Sequence, residues 1–119
     1  MDVKIYRDKA LAPDMCIGRI DDRGKILKVE LGEDDYLGWI DYQEGDIYDN
    51  HDVLIGWVEK DGEVIRLVED VEEEVGFVTD ESELYCYSKD GEEEYFGKLK
   101  DMQDFSEGAA ALLFFHKKE

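Results

Sequence analysis

Basic residues are scarce in this chain. Fourteen Lys and Arg stand against 33 Asp and Glu, which gives 119 residues a formal net charge of −19. A field of that sign opposes phosphate backbones and anionic bilayers, so neither nucleic acid nor a membrane surface is expected as a partner. Cysteine is nearly absent too. Cys16 and Cys86 are far apart, lie among aliphatic and aromatic neighbours, and have no Cys or His at ligand spacing. A zinc site is therefore excluded; both thiols are expected to be buried, with a disulfide as the alternative. Long apolar runs are missing: the longest, Ala109 to Phe115, is far short of the roughly 20 residues a membrane-crossing helix needs. No basic stretch leads into an apolar run near Met1, which makes the cytoplasm the expected location.

Groups able to do chemistry are equally sparse. His51 sits in the polar run Asn50-His51-Asp52, and His116 is followed by Lys117 and Lys118; neither is close in sequence to a cysteine. No nucleophile, base and orienting group stand in a recognisable pattern, so no catalytic residue, no cofactor and no enzymatic activity are expected. The oxygen-rich runs Glu33-Asp34-Asp35, Asp49-Asn50-His51-Asp52, Glu72-Glu73-Glu74 and Glu92-Glu93-Glu94 lack the spacing of a calcium loop, and no metal site is assigned.

What the chain does have is repetition. Five segments share an apolar residue, a glycine, any residue and an aliphatic: Ile17-Gly18-Arg19-Ile20, Leu37-Gly38-Trp39-Ile40, Ile55-Gly56-Trp57-Val58, Val75-Gly76-Phe77-Val78 and Phe96-Gly97-Lys98-Leu99. After the first four comes a polar turn and a second apolar strand. The turns are Arg23-Gly24, Glu44-Gly45, Asp61-Gly62 and Glu81-Ser82. Glycine late in a turn supplies positive φ for a short hairpin loop, so the Glu81-Ser82 turn is expected to be longer or differently shaped. Val3-Lys4-Ile5-Tyr6 matches a second strand with no first, and Phe96-Gly97-Lys98-Leu99 a first strand with no clear second. Paired, the two halves complete a fifth unit and remove both sheet edges.

The predicted fold is mainly β: a single domain over residues 1–119 of about five β-hairpin units arranged radially or as a closed ring, with an open twisted stack as the alternative. Strict alternation puts each repeat glycine and the residue two later on one face. The residues before and after the glycine, also largely apolar, fall on the other, so burial on both faces is expected. A short helix is predicted over about 106–116, started by Asp104 or Ser106 with Glu107 in its first turn. It is apolar almost all round and needs burial; a final strand at Phe114-Phe115 is the alternative.

The Gly-aliphatic units, the half unit at Ile5-Tyr6 and the terminal Gly108-Ala109-Ala110-Ala111-Leu112-Leu113 resemble bacterial and phage proteins described as β-flower domains. The resemblance covers about residues 3–115. It implies radially arranged hairpins and no activity or catalytic residue. Gly38-Trp39 and Gly56-Trp57 are also similar, more weakly, to the choline-binding hairpin repeats of cell-wall proteins.

Two features are candidates for partner binding. Trp39, Trp57 and Phe77 hold one position in three consecutive units; packing between repeats is the favoured role, and a groove for sugars, quaternary amines or a partner's side chain the functional one. Residues 30–94 hold 24 acids and only Lys60, Arg66 and Lys89 as bases, with Glu72, Glu73 and Glu74 at the centre. Dense carboxylates on a rigid scaffold attract basic proteins quickly, as inhibitors of nucleic-acid-binding proteins do. An acidic binding or inhibitor module for a basic protein is the leading expectation. A carbohydrate or small-ligand module using Trp39 and Trp57 is the alternative, and charge that serves only solubility is the plain one.

Overall fold

A computed structural model describes residues 2–9, 12–30 and 33–116. Ten strands follow one another: β1 (Val3–Lys9), β2 (Ala12–Ile20), β3 (Lys25–Glu30), β4 (Glu33–Asp41), β5 (Asp46–Asp49), β6 (Leu54–Val58), β7 (Glu63–Val68), β8 (Val71–Val78), β9 (Glu83–Tyr87) and β10 (Glu93–Lys100). Each pairs antiparallel with its chain neighbours, and β1 pairs with β10, so the sheet closes into a barrel. The helix α1 (Phe105–Phe115) comes last.

The barrel has five repeats in register. In the first, Gly18, Arg19 and Ile20 face Lys28, Leu27 and Ile26. In the fifth, Gly97, Lys98 and Leu99 face Arg7, Tyr6 and Ile5. The last unit is therefore assembled from the two ends of the chain, and the ring is preferred over the open stack because these half units have complementary hydrogen-bonding edges.

Turns tie each unit to the next. Gly24, Gly45 and Gly62 have positive φ, and their carbonyl oxygens accept from the N–H of Ile40 (2.9 Å), Val58 (3.1 Å) and Val78 (2.9 Å) in the following unit. The turn at Glu81-Ser82 is not different in shape, contrary to expectation. Ser82 itself adopts φ 67°, its N–H donates to Thr79 O, and its carbonyl accepts from Leu99 N at 2.9 Å, as at the glycine turns. The interlock and closed ring hold Ser82 in the left-handed region despite the cost of its Cβ.

Strict alternation fails at a matching place in every unit, and β1–β2 has a second shift between Arg7 and Lys9. The register slips by one residue at Ile17, Leu37, Ile55, Val75 and Phe96, each just before the repeat glycine. Such a bulge turns the extra residue toward the side its neighbour faces. Val75 and Phe96 are buried in the core, and Ile17, Leu37 and Ile55 pack against it. The residues after the glycines stay outside: Arg19, Trp39, Trp57 and Phe77 are half-buried and Lys98 is exposed. Expected burial on both faces is thus corrected to one buried face, which receives two apolar residues per unit from the glycine strand.

The repeat glycines are fixed by crowding. A Cβ on Gly76 would overlap the carbonyl oxygen of Tyr85 across the strand pair. On Gly18, Gly38 and Gly56 it would also lie 2.5–2.7 Å from Phe115, Phe114 and Leu113 at the end of the helix. The glycines leave the space α1 occupies.

The helix begins one residue before the predicted start and ends one before the predicted end, with Phe114 and Phe115 in its last turn rather than in a strand. Ser106 to Leu113 are all buried, and Ala109, Ala110, Ala111 and Leu112 have no exposed surface. A helix sealed this way needs protein partners for its end groups. At the start Asp104 is the N-cap, accepting from Ser106 N at 2.9 Å. Glu107 Oε1 accepts from Gln103 N (2.6 Å) and Asp104 N (3.0 Å), and its Oε2 accepts from the Tyr42 hydroxyl at 2.8 Å. Burial, then Glu107, drives the Tyr42 phenol pKa far upward, so it stays a donor. At the far end Arg66 Nη2 donates to Leu113 O (3.0 Å) and His116 O (2.8 Å).

Substitutions at three positions test this packing by urea denaturation. Gly76→Ala is expected to cost about 3 kcal/mol or more, because backbone has to move. Gly91→Ala, at φ 82° with nothing within 4 Å of the added methyl, should cost only the left-handed penalty of about 1 kcal/mol. Arg66→Met is expected to lose about 2 kcal/mol by leaving the part-buried carbonyls of Leu113 and His116 without this donor, with Arg66→Lys recovering part of it.

Candidate binding surface

The outer face of the barrel is set by whatever lies one residue from each core position. On the second strands these are Tyr6, Leu27, Tyr48, Ile65 and Tyr85, directly opposite Lys98, Arg19, Trp39, Trp57 and Phe77. Trp39 lies flat on Tyr48, centroids 4.4 Å apart at 11°, and its Nε1–H donates to Asp52 Oδ1 at 2.8 Å. Trp57 is paired with Ile65 on one side and Asp46 on the other. The register separates it from Trp39 and Phe77, so each of the three rings packs within its own surroundings and they do not line one groove.

Phe77 belongs instead to a row that crosses four strands. Glu63, Phe77, Tyr85 and Tyr95 are directly paired from β7 to β10. Phe77 stacks on Tyr85 (5.0 Å, 10°), and Tyr95 meets Tyr85 edge-on (5.5 Å, 63°). Tyr87 adds a fourth ring 6.1 Å from Phe77. Phe77, Tyr85 and Tyr87 are half-buried, and Tyr95 retains 39% of its surface. Carboxylates surround the rings. The Tyr87 hydroxyl donates to both oxygens of Glu63 (3.1 and 3.2 Å), and Tyr87 is paired with Glu93. Burial, then Glu63, pushes the Tyr87 pKa up to about 12, with Glu74 and Glu93 contributing. Beside the row lies a depression of about 600 Å³ lined by Glu59, Lys60, Asp61, Glu63, Ile65 and Glu74.

The run Glu72-Glu73-Glu74 divides between faces. Glu72 and Glu74 pair with Leu67 and Ile65 and are exposed. Glu73 pairs with Arg66 on the inner side, where burial lowers the pKa of the guanidinium that caps the helix and the Glu73 charge partly offsets it. Tyr85, Tyr87, Tyr95, Glu63 and Glu93 were not among the sequence candidates. The alternation Leu84-Tyr85-Cys86-Tyr87 puts two tyrosines on one face, but joining them to Tyr95 requires the bulge at Phe96.

Other expected features fall elsewhere. Cys86 is buried, its thiol pKa raised chiefly by that burial, but Cys16 is exposed on the outer side of β2, where the bulge at Ile17 turns it; both are free thiols. His51 lies exposed in the β5–β6 loop, and the His116 ring packs against Phe96 at 5.9 Å. Among the described residues no group of His, Cys, Asp and Glu is placed to hold a metal ion, and no helix is long and apolar enough to cross a membrane. Lys117 and Lys118 lie outside the described residues.

The surface acids set a pH dependence. Glu63 has its carboxyl pKa raised, first by burial and then by Glu74, Asp61 and Glu93, against the hydrogen bond from Tyr87. Asp46 is raised by burial, then by Asp41 and Glu44. A carboxyl with a folded pKa above its unfolded one destabilises the fold while ionised, and that penalty is lost as pH falls through the folded pKa. Thermal melting is expected to rise as pH falls from neutrality toward the raised carboxyl pKa values, before general acid unfolding sets in, and to rise less in Glu63→Gln.

Comparison of the chain with protein-family models, with curated proteins and with solved structures finds no match.

Proposed function

We propose that this protein is a non-catalytic acidic binding module, of the radial β-flower kind and cytoplasmic, whose partner is a basic protein. The observation that carries the reading is the outer face of β7–β10, where four aromatic rings lie among carboxylates and where burial, with Glu74 and Glu93 adding to it, raises the pKa of Glu63. The interior supports it as well, since α1 fills the barrel and leaves binding to the outside. Aromatic surface gives contact area at little entropy cost, and unneutralised acids supply steering and selectivity for a cationic partner. The sugar-binding alternative at Trp39 and Trp57 has less support: Trp39 already has one ring face on Tyr48 and its N–H on Asp52.

The test is an affinity pull-down from source-cell lysate at about 0.05 M and about 0.5 M salt, with a Glu72→Gln, Glu74→Gln, Glu93→Gln variant as control. One basic protein, captured at low salt and lost at high salt and by the variant, is the expected result. Capture that ignores both salt and the variant, or no basic protein at all, overturns the reading.

A further inference from the structure

We propose that the Phe77–Tyr85–Tyr95 row is an anchor for arginine side chains on an extended basic segment of the partner, an assignment that rests on the basic-partner reading above. Three aromatic side chains at directly paired positions on neighbouring strands give a strip of ring surface on the outside of a rigid sheet. Glu63 and Glu93 flank that strip along its own and the adjoining row, and Glu74 borders it on β8.

Arginine fits this combination better than lysine. Its guanidinium is planar, stacks on aromatic faces and pairs with carboxylates through two parallel N–H groups, whereas an ammonium is a compact and strongly hydrated point charge. The carboxylate that would receive it is already positioned, because the Tyr87 hydroxyl bonds both oxygens of Glu63. The repulsion that Glu74 and Glu93 exert on Glu63 is relieved by an incoming cation and not by a neutral ligand. The barrel already uses the same pairing elsewhere: Arg7 lies over the Phe96 ring at 5.0 Å and Lys25 over Tyr36 at 5.9 Å.

The experiment titrates the full chain at low salt with octa-arginine, octa-lysine and a neutral Gly-Ser octapeptide, reading affinity by calorimetry and contact by the ring resonances of Phe77, Tyr85 and Tyr95. Octa-arginine is expected to bind several-fold tighter than octa-lysine and to shift those resonances. Tyr95→Ala, which removes an exposed ring, and Tyr85→Ala, checked by thermal melting, should each weaken octa-arginine about tenfold and narrow the preference over lysine; Tyr85→Phe should keep both. Equal affinity for the two cationic peptides, unchanged by Tyr95→Ala but weakened by Glu72→Gln, Glu74→Gln, Glu93→Gln, overturns the arginine anchor and leaves the basic-partner reading standing. Binding of neither cationic peptide above the neutral control overturns both.

Discussion

A helix without a polar side has to be enclosed, and enclosure leaves its free N–H and C=O groups to be satisfied by protein. In this barrel that requirement organises the interior. Asp104, Glu107 and Tyr42 serve the start of α1, and Arg66 serves its end. The second strands carry the same logic around the ring. Two residues past the core positions Ile5, Ile26 and Val64 stand Arg7, Lys28 and Arg66, so three of the chain's few bases share one structural position. The partial negative charge at a helix C-terminus favours cations there. Asp49 and Cys86 fill the remaining two positions; of the three bases, Arg66 donates to the carbonyls at the end of α1 and Arg7 lies over the Phe96 ring.

Much of this architecture was legible because glycine and its neighbours repeat. The five Gly-aliphatic segments located every even-numbered strand except for their bulges, and the unmatched Ile5-Tyr6 and Phe96-Gly97 halves carried the closure of the ring. The run Gly108 to Leu113 announced a buried helix. Three things were hidden for physical reasons. A bulge inserts one residue without altering the spacing of the repeat, so the inward turn of Ile17, Leu37 and Phe96 and the exposure of Cys16 cannot be read from alternation. Glu81-Ser82 read as a turn of another shape because it lacks the glycine that signals positive φ, and the interlock with Leu99 overrides the local preference of Ser82. Arg66 read as one of few bases in an acidic stretch, since its carbonyl partners lie 47 and 50 residues away.

The candidate surface was legible in part. Phe77 and two of the Glu72–Glu74 run lie in or beside the aromatic row, yet Trp39 and Trp57, the most conspicuous residues of the repeat, belong to other surroundings. Equivalent repeat positions in a staggered barrel are displaced along the axis from one unit to the next, so a shared position does not bring side chains together. Contact follows strand register instead. Phe77, Tyr85 and Tyr95 meet although they occupy three different repeat positions, and Glu73 parts from Glu72 and Glu74 although they are consecutive.

The split fifth unit governs when the molecule can come into being. Strand β1 leaves the ribosome before every other strand of the barrel, but its partner β10 and the core-filling α1 are the last described elements to follow it. Each hairpin can form locally as it emerges, whereas closure waits for the longest-range pairing in the sheet, the slow step that high contact order imposes. Until then a nascent chain exposes two strand edges and an empty interior. Carboxylates strung along those hairpins repel one another's edges during this interval, so the acidity is useful to the chain before any barrel exists.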